Sequence, residues 1–316
     1  MGYKLAGFEH LGGVEIDPKI ADIYKANHKP KYLYVQDIRE FNKRTDLPDE
    51  LFNLDLLDGS PPCSSFSMAG NREKDWGKTK VFKEGQALQT LDDLFFDYIA
   101  LAKKLQPRVV LAENVKGLIQ GNARSYVRKI KAGFEDAGYK VQLFLLNAAS
   151  MGVPQKRERV FFICQRNDLN LPKLVMKFSE KAINFGDIIE YSETKNDLTE
   201  VQFDLWNRKK PTDKTLADVR MQANGFTDYL IDIKETCPTI TSGGKFLSKQ
   251  LPRWFTKKEY CNCGSFPIDY NFKSIEPKYL IGMSVPPVMT AQIASEIYRQ
   301  WFSKTATQQR CQNLRT

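Results

Sequence analysis

The sequence predicts an α/β protein built on a mainly parallel sheet, with a second, smaller and irregular domain. Three observations predict it. Between residues 10 and 166, short runs rich in β-branched and aromatic residues alternate with segments whose apolar positions recur at helical spacing. Acidic or turn residues stand directly after several of these runs, where the carboxyl ends of parallel strands collect ligands. Beyond about residue 170 the alternation stops.

The elements follow in order. HLGGVEID (10–17) reads as a short buried strand ending in acids, PKIADIYKANH (18–28) as a helix with apolar positions at 20, 23 and 24, and YLYVQD (32–37) as a strand. LFNLDLLDGSPPC (51–63) runs from a strand into a Gly-Pro turn. LDDLFFDYIALAKKLQ (91–106) carries a helical apolar stripe that Pro107 stops ahead of the strand RVVLAENV (108–115). SYVRKIKAGFEDAGY (125–139) is a helix, and KVQLFLLNA (140–148) and RVFFICQR (159–166) are strands. Such alternation implies βαβ units, which puts Glu15, Asp37, Cys63 and Glu113 at strand ends. The stretch 171–250 mixes short apolar runs with polar ones such as SETKNDLTE and NRKKPTDKT. PPVMTAQIASEIYRQWF (286–302) is again helical and is expected to pack back on the first domain, with the tail after Ser303 frayed.

Composition bounds the function. The 316 residues carry a net charge of +9, with 42% hydrophobic and 12% aromatic residues, which excludes disordered, collagen-like and low-complexity chains. No apolar run reaches the ~20 residues a membrane span needs, and MGYKLAGFEHLGG lacks a secretory core, so an intracellular, non-membrane protein is expected. Six scattered cysteines do not make a disulfide framework. The Cys261-x-Cys263 pair has no partner pair at zinc spacing, so no metal is expected. The positive excess lies mainly in residues 61–170, at +7, and includes Arg72, Lys74, Lys78, Lys80 and Lys83. Such a stretch is either a solvated loop or one that closes on phosphates.

Three local patterns carry chemistry. Cys63 follows two prolines and precedes Ser-Ser-Phe-Ser67; it is either a small buried hydrophobe or a thiolate held on a rigid turn beside basic residues. Glu113 ends an apolar strand in AENV, where a carboxyl either holds a proton through burial or caps a helix. In QKRER (155–159), an extended chain puts Arg157 and Arg159 on one face, suited to an anionic or carbonyl-rich ligand or to a surface ion-pair ladder.

In this order and spacing, VEIDPKIADIYKANH, GSPPCSSFS, AENVKGL, LNAASMGVPQKRERVFFI and IGMSVPPVMTAQIASEI resemble the DNA cytosine-5 methyltransferase family over residues 1–170 and about 235–302. The resemblance implies a Rossmann-like class I methyltransferase sheet in residues 1–184, a target-recognition domain in 185–272, and a C-terminal segment, 273–316, returning to the first domain. It implies methyl transfer from S-adenosyl-L-methionine to C5 of a cytosine flipped out of double-stranded DNA. By that likeness Cys63 adds to C6, Glu113 binds or protonates N3, Arg159 binds the base carbonyl and Arg157 supports the pocket. Glu15 is matched to the cofactor ribose, Asp37 to its adenine, Ile16 and Ile38 to its apolar walls, and Pro62 and Ser284 to its surroundings. Ser67, Arg72 and Lys74, in the loop matched to the family's catalytic loop, and Thr239 and Arg253 are matched to DNA contacts.

The family's opening strand and its Phe-x-Gly-x-Gly loop have no counterpart here, Met283 stands where Asn is usual, and Leu91 where Arg is common. The expected partners are duplex DNA, a cognate restriction endonuclease and a second chain supplying the missing loop, with the protein itself a monomer in the prokaryotic cytoplasm or nucleoid. The alternatives are a catalytically impaired DNA-binding remnant, half of a split methyltransferase, or an RNA cytosine-5 methyltransferase.

Overall fold

The computed structural model describes residues 1–62, 94–120, 123–193, 195–221, 228–241 and 243–303. In chain order these form α1 (Gly2–Leu5), β1 (Gly12–Glu15), α2 (Pro18–His28), β2 (Tyr32–Val35), α3 (Ile38–Lys43), β3 (Leu56–Gly59) and α4 (Leu94–Leu105). Then come β4 (Val109–Val115), α5 (Arg124–Asp136), β5 (Tyr139–Asn147), β6 (Gln155–Lys156), β7 (Glu158–Arg166), α6 (Glu200–Arg208) and α7 (Leu216–Val219). The last are β8 (Asp228–Ile231), β9 (Cys237–Pro238), β10 (Lys245–Ser248), α8 (Lys257–Cys263), α9 (Pro277–Met283) and α10 (Pro287–Ile297). Two compact units result: a sheet unit of residues 10–146, 158–176 and 296–316, and a second unit of residues 1–9, 147–157 and 177–295. The division does not follow boundaries after residues 184 and 272; segments 147–157, 177–184 and 273–295 all group with the second unit.

The sheet unit is organised on β4, in the strand order β3-β4-β7-β5. An apolar run buried on both faces is what an interior strand demands, and Val109–Asn114 are all buried. Phe95, Tyr98, Ile99 and Ala102 of α4 and Ile130 and Phe134 of α5 pack with Val110, Ala112, Val160 and Phe162 of the sheet. Helix α4 ends where Gln106 turns left-handed, at φ 50°, just before Pro107. Strand β3 runs parallel to β4, but β7 runs antiparallel to it. The expectation of a mainly parallel sheet misses this because side-chain alternation is the same in either direction.

Strands β1 and β2 pair in parallel, and a Cβ at Gly12 would lie 2.0 Å from the Tyr32 carbonyl oxygen, so only glycine fits there. Among the described residues no ladder joins β1 to β3, so one continuous sheet becomes a two-stranded and a four-stranded one. Side chains hold these together. Val14, Tyr32 and Tyr34 pack with Leu57 of β3 around Phe41, Leu47, Leu51, Leu101 and Leu105.

In the second unit the polar runs supply helix caps. Thr199 with Gln202, Thr215 with Asp218 and Thr256 with Glu259 form reciprocal capping boxes that open α6, α7 and α8. Leu205, Leu216, Leu230 and Leu247 gather α6, α7, β8 and β10 into one apolar cluster. Strand β8 pairs in parallel with β10, and β6 with β9. Among the described residues no helix is long and apolar enough to cross a membrane, and no three metal-ligating side chains cluster.

Candidate active site

The carboxyl end of β4 presents Glu113 and Asn114. Val115 lies directly across from Arg159 on β7, which puts Glu113 and Arg159 diagonally on one face of the antiparallel pair. Arg159 Nε meets Glu113 Oε1 at 2.8 Å, and its Nη1 donates to the Glu158 carbonyl at 2.9 Å. Burial pulls the Arg159 guanidinium below its ordinary range, and Glu113 opposes that pull. The Glu113 carboxyl is therefore held by a guanidinium of the neighbouring strand, a partner that neither the buried-acid nor the helix-cap reading supplied. On the neighbouring positions Lys116 Nζ pairs with Glu158 Oε2 at 2.7 Å, tying the ends of the same two strands.

Asn114 is buried; its Nδ2 donates to the Pro61 carbonyl at 3.0 Å, and its Oδ1 accepts from the Val115 N–H at 2.9 Å. It thereby links the strand carrying Glu113 to the turn two residues before Cys63. Reading the motif from sequence overlooks Asn114 because an amide beside an acid has no distinctive pattern; a buried strand-end amide has to find partners, and that was the available signal. Tyr98 was missed too. Its hydroxyl lies 3.1 Å from the Leu57 carbonyl and 2.8 Å from that of Leu111, bracing β3 against β4, and a Cβ at Gly59 would strike its ring at 2.4 Å.

Glu15 ends β1, and Asp37 stands two residues past the end of its parallel neighbour β2. Glu15 Oε1 accepts from the Asp17 N–H at 2.8 Å, and burial raises its carboxyl above the ordinary value despite that bond. Asp37 Oδ1 caps α3 through the Arg39 N–H at 2.8 Å. Ile16 and Ile38 are part-buried next to these two acids in the chain, and Pro62 is part-buried three residues past β3.

In the second unit, Arg157 is 1% exposed and donates to the carbonyls of Ile240 at 3.0 Å and Gly282 at 2.9 Å. It is a buried tether between chain segments. The expectation of two guanidiniums sharing a ligand face fails because the extended run is interrupted at residue 157, and the two arginines take different partners. Thr239 Oγ1 donates to the Lys156 carbonyl at 2.7 Å, and Ser284 Oγ to that of Leu280 at 2.7 Å. Arg253, expected at the DNA surface, is 1% exposed and makes a two-pronged pair with Glu259, 2.8 Å on each arm. It also donates to the carbonyls of Glu190, Glu193 and Trp254, so its geometry is that of a core strut. Cys63, Ser67, Arg72 and Lys74 lie outside the described residues.

A model of C-5 cytosine-specific DNA methylases matches residues 1–299. Type II methyltransferase M.NgoPII of Neisseria gonorrhoeae is 36% identical, over 94% of this chain and 91% of that protein. Type II methyltransferase M.FnuDI of Fusobacterium nucleatum is 40% identical over 54% of this chain, a match that spans 44% of its own length. The solved structure of a Spodoptera frugiperda DNMT2 mutant covers 96% of this chain and 95% of its own, with a TM-score of 0.64 at 20% identity, a likeness of fold. With Glu113 and Arg159 paired on one face of β4 and β7 and the family model matched along nearly the whole length, the chain belongs to the C-5 cytosine-specific DNA methylases and is a DNA cytosine-5 methyltransferase.

Proposed function

We propose that Cys63, Glu113 and Arg159 carry the reaction on a cytosine flipped from duplex DNA. C5 of cytosine is a weak nucleophile until electron density is pushed into the ring. The Cys63 thiolate adds to C6, and Glu113, having taken a proton from solvent as the base docks, passes it to N3, so that the ring becomes an enamine nucleophilic at C5. After methylation, a solvent base takes the C5 proton as Cys63 is expelled, which restores the aromatic ring and the thiolate, and the N3 proton returns to Glu113. Arg159 Nη2 has no partner among the described residues, while Nε and Nη1 are held, which leaves one arm of the fork to bind the base carbonyl. The single observation that carries this reading is the Glu113–Arg159 pair beside the Asn114–Pro61 bond.

The family implies S-adenosylmethionine as methyl donor. The residues fit its nucleoside part: two carboxylates stand at or just past the ends of neighbouring parallel strands, Glu15 is part-buried with its charge poorly solvated, and hydroxyl donors would relieve that burial. Glu15, Asp37, Ile16, Ile38 and Pro62 of the sheet unit would hold it, and when bound it supplies the electrophilic methyl group that C5 accepts. M.NgoPII and M.FnuDI carry the designation type II; the same reading for this chain makes duplex DNA its substrate and a restriction endonuclease of the same recognition sequence its functional counterpart.

The test is covalent capture. The purified chain with S-adenosylmethionine should form a denaturation-resistant adduct with 5-fluorocytosine duplex DNA, lost in Cys63→Ala. An adduct that persists in Cys63→Ala removes Cys63 as the nucleophile, and absence of methyl transfer to mixed-sequence DNA removes the activity from the chain.

A further inference from the structure

The second unit holds two lysines, Lys209 and Lys249, whose segments meet at Trp206 and whose charges repel. Lys249 follows β10 and is 8% exposed; its Nζ donates to the Pro211 carbonyl at 2.8 Å. Lys209, at the end of α6, sets its Nζ 3.2 Å from the centre of the Trp206 ring and 2.9 Å from the Trp206 carbonyl. Trp206 is itself fixed, its indole N–H donating to the Ser248 carbonyl at 2.7 Å, one residue before Lys249. Among the described residues neither lysine pairs with a carboxylate. The acids on flanking segments are engaged elsewhere: Asp204 with Arg208, Asp213 with the Lys210 N–H, and Glu235 with Lys214.

This arrangement is costly without a ligand. Burial, and then repulsion from Lys249, pull the Lys209 ammonium down to about 8. A ring face and carbonyl oxygens soften the charge but do not neutralise it. A group carrying negative charge would compensate both lysines at once, and the run NRKKPTDK that holds Lys209 adds Lys210, the next residue in the chain, while Arg208 and Lys214 are already paired with Asp204 and Glu235.

We propose that Lys209 and Lys249, mounted on Trp206, form a contact site for a backbone phosphate of the DNA substrate. The assignment rests on the DNA-methyltransferase reading and adds to it a phosphate-binding corner. A phosphate contact positions the duplex without reading sequence. Here it anchors the backbone against a rigid aromatic support, so the loss on removal is the same for every DNA sequence. Lys209 loses its charge as pH rises through about 8, so the contact weakens on going to alkaline pH, while a bound phosphate raises the ammonium again and draws in a proton.

The test uses the full chain and a fluorescently labelled mixed-sequence duplex, with anisotropy followed across a potassium chloride series. Lys209→Met should weaken binding about three- to tenfold and reduce the slope of log affinity against log salt by about one. Lys209→Arg should keep the neutral-pH affinity and lose most of the weakening toward pH 9, since a guanidinium stays charged. Circular dichroism confirms the fold of each variant; Lys249→Met is a secondary arm, because that side chain is buried. If the parent chain binds duplex and Lys209→Met keeps the parent's affinity and salt slope, the assignment falls and the methyltransferase reading stands. If the parent chain binds no duplex, both fall. If transfer RNA outcompetes duplex with the same dependence on Lys209, the site serves an RNA phosphate and the DNA assignment is overturned.

Discussion

Arg253→Met separates a core strut from a DNA contact. The guanidinium is 1% exposed and its partner Glu259 0% exposed, with both arms of the pair at 2.8 Å and three backbone carbonyls accepting from the remaining N–H groups. Burial opposes the charge, but Glu259 outweighs it and holds Arg253 above its ordinary range. Removing one member of a buried pair leaves the other uncompensated, a loss of about 3–5 kcal/mol. For a protein of this size that lowers the melting temperature by roughly 6–20 °C. Replacing both partners, Arg253→Met with Glu259→Leu, should recover much of it, because a well-packed apolar pair removes both desolvation costs together. Differential scanning calorimetry reads the stability, and duplex binding at several salt concentrations reads the alternative. A melt unchanged from the parent, with weaker binding and a salt slope reduced by about one, would refute the strut and restore Arg253 to the DNA surface.

Further perturbations address the site. Asn114→Ala removes the bond to the Pro61 carbonyl and should slow 5-fluorocytosine adduct formation by about 10²-fold with less effect on duplex affinity, as read by rapid-quench trapping. Arg159→Met should lower kcat by about 10²–10³ while the chain stays folded, measured with tritiated methyl donor. Glu15 is raised by burial, so the native state holds its proton more tightly than the unfolded chain, and stability declines as pH climbs from 4.5 through the raised native value. Glu15→Gln should therefore raise the melting temperature at neutral pH while weakening S-adenosylmethionine binding in calorimetric titration; a lower melting temperature would reverse the sign assigned to this carboxyl.

Local patterns were legible because they depend on neighbours in the chain. Pro18 with the Asp17 cap opens α2, and the apolar run of β4 reads as a strand, which the structure buries on both faces. Partnerships over long separations were not. Nothing in RVFFICQR tells its direction relative to RVVLAENV, and only pairing across the sheet brings Arg159 onto Glu113. Arg157 and Arg253 illustrate the same limit: an arginine looks alike whether it faces a polyanion or backbone carbonyls, and most of the accepting carbonyls lie 60–125 residues away. Glu15 falls at the end of β1 as read, whereas Asp37 lies two residues past β2 and caps α3, because a strand's last pairing is set by its neighbour.

The separation of β1 from β3 has a consequence for how the protein opens. Backbone ladders transmit cooperativity directly, whereas the β1–β2 pair is coupled to the four-stranded sheet through the side chains around Phe41, Leu101 and Leu105. The strands that bear Glu15 and lead to Asp37 thus form a subglobal unit whose amide hydrogens should exchange well before those of β4. A ligand that bridges those acids to the rest of the sheet unit would merge the two exchange classes into one, so cofactor binding would be legible as slowed hydrogen exchange along Gly12–Val35.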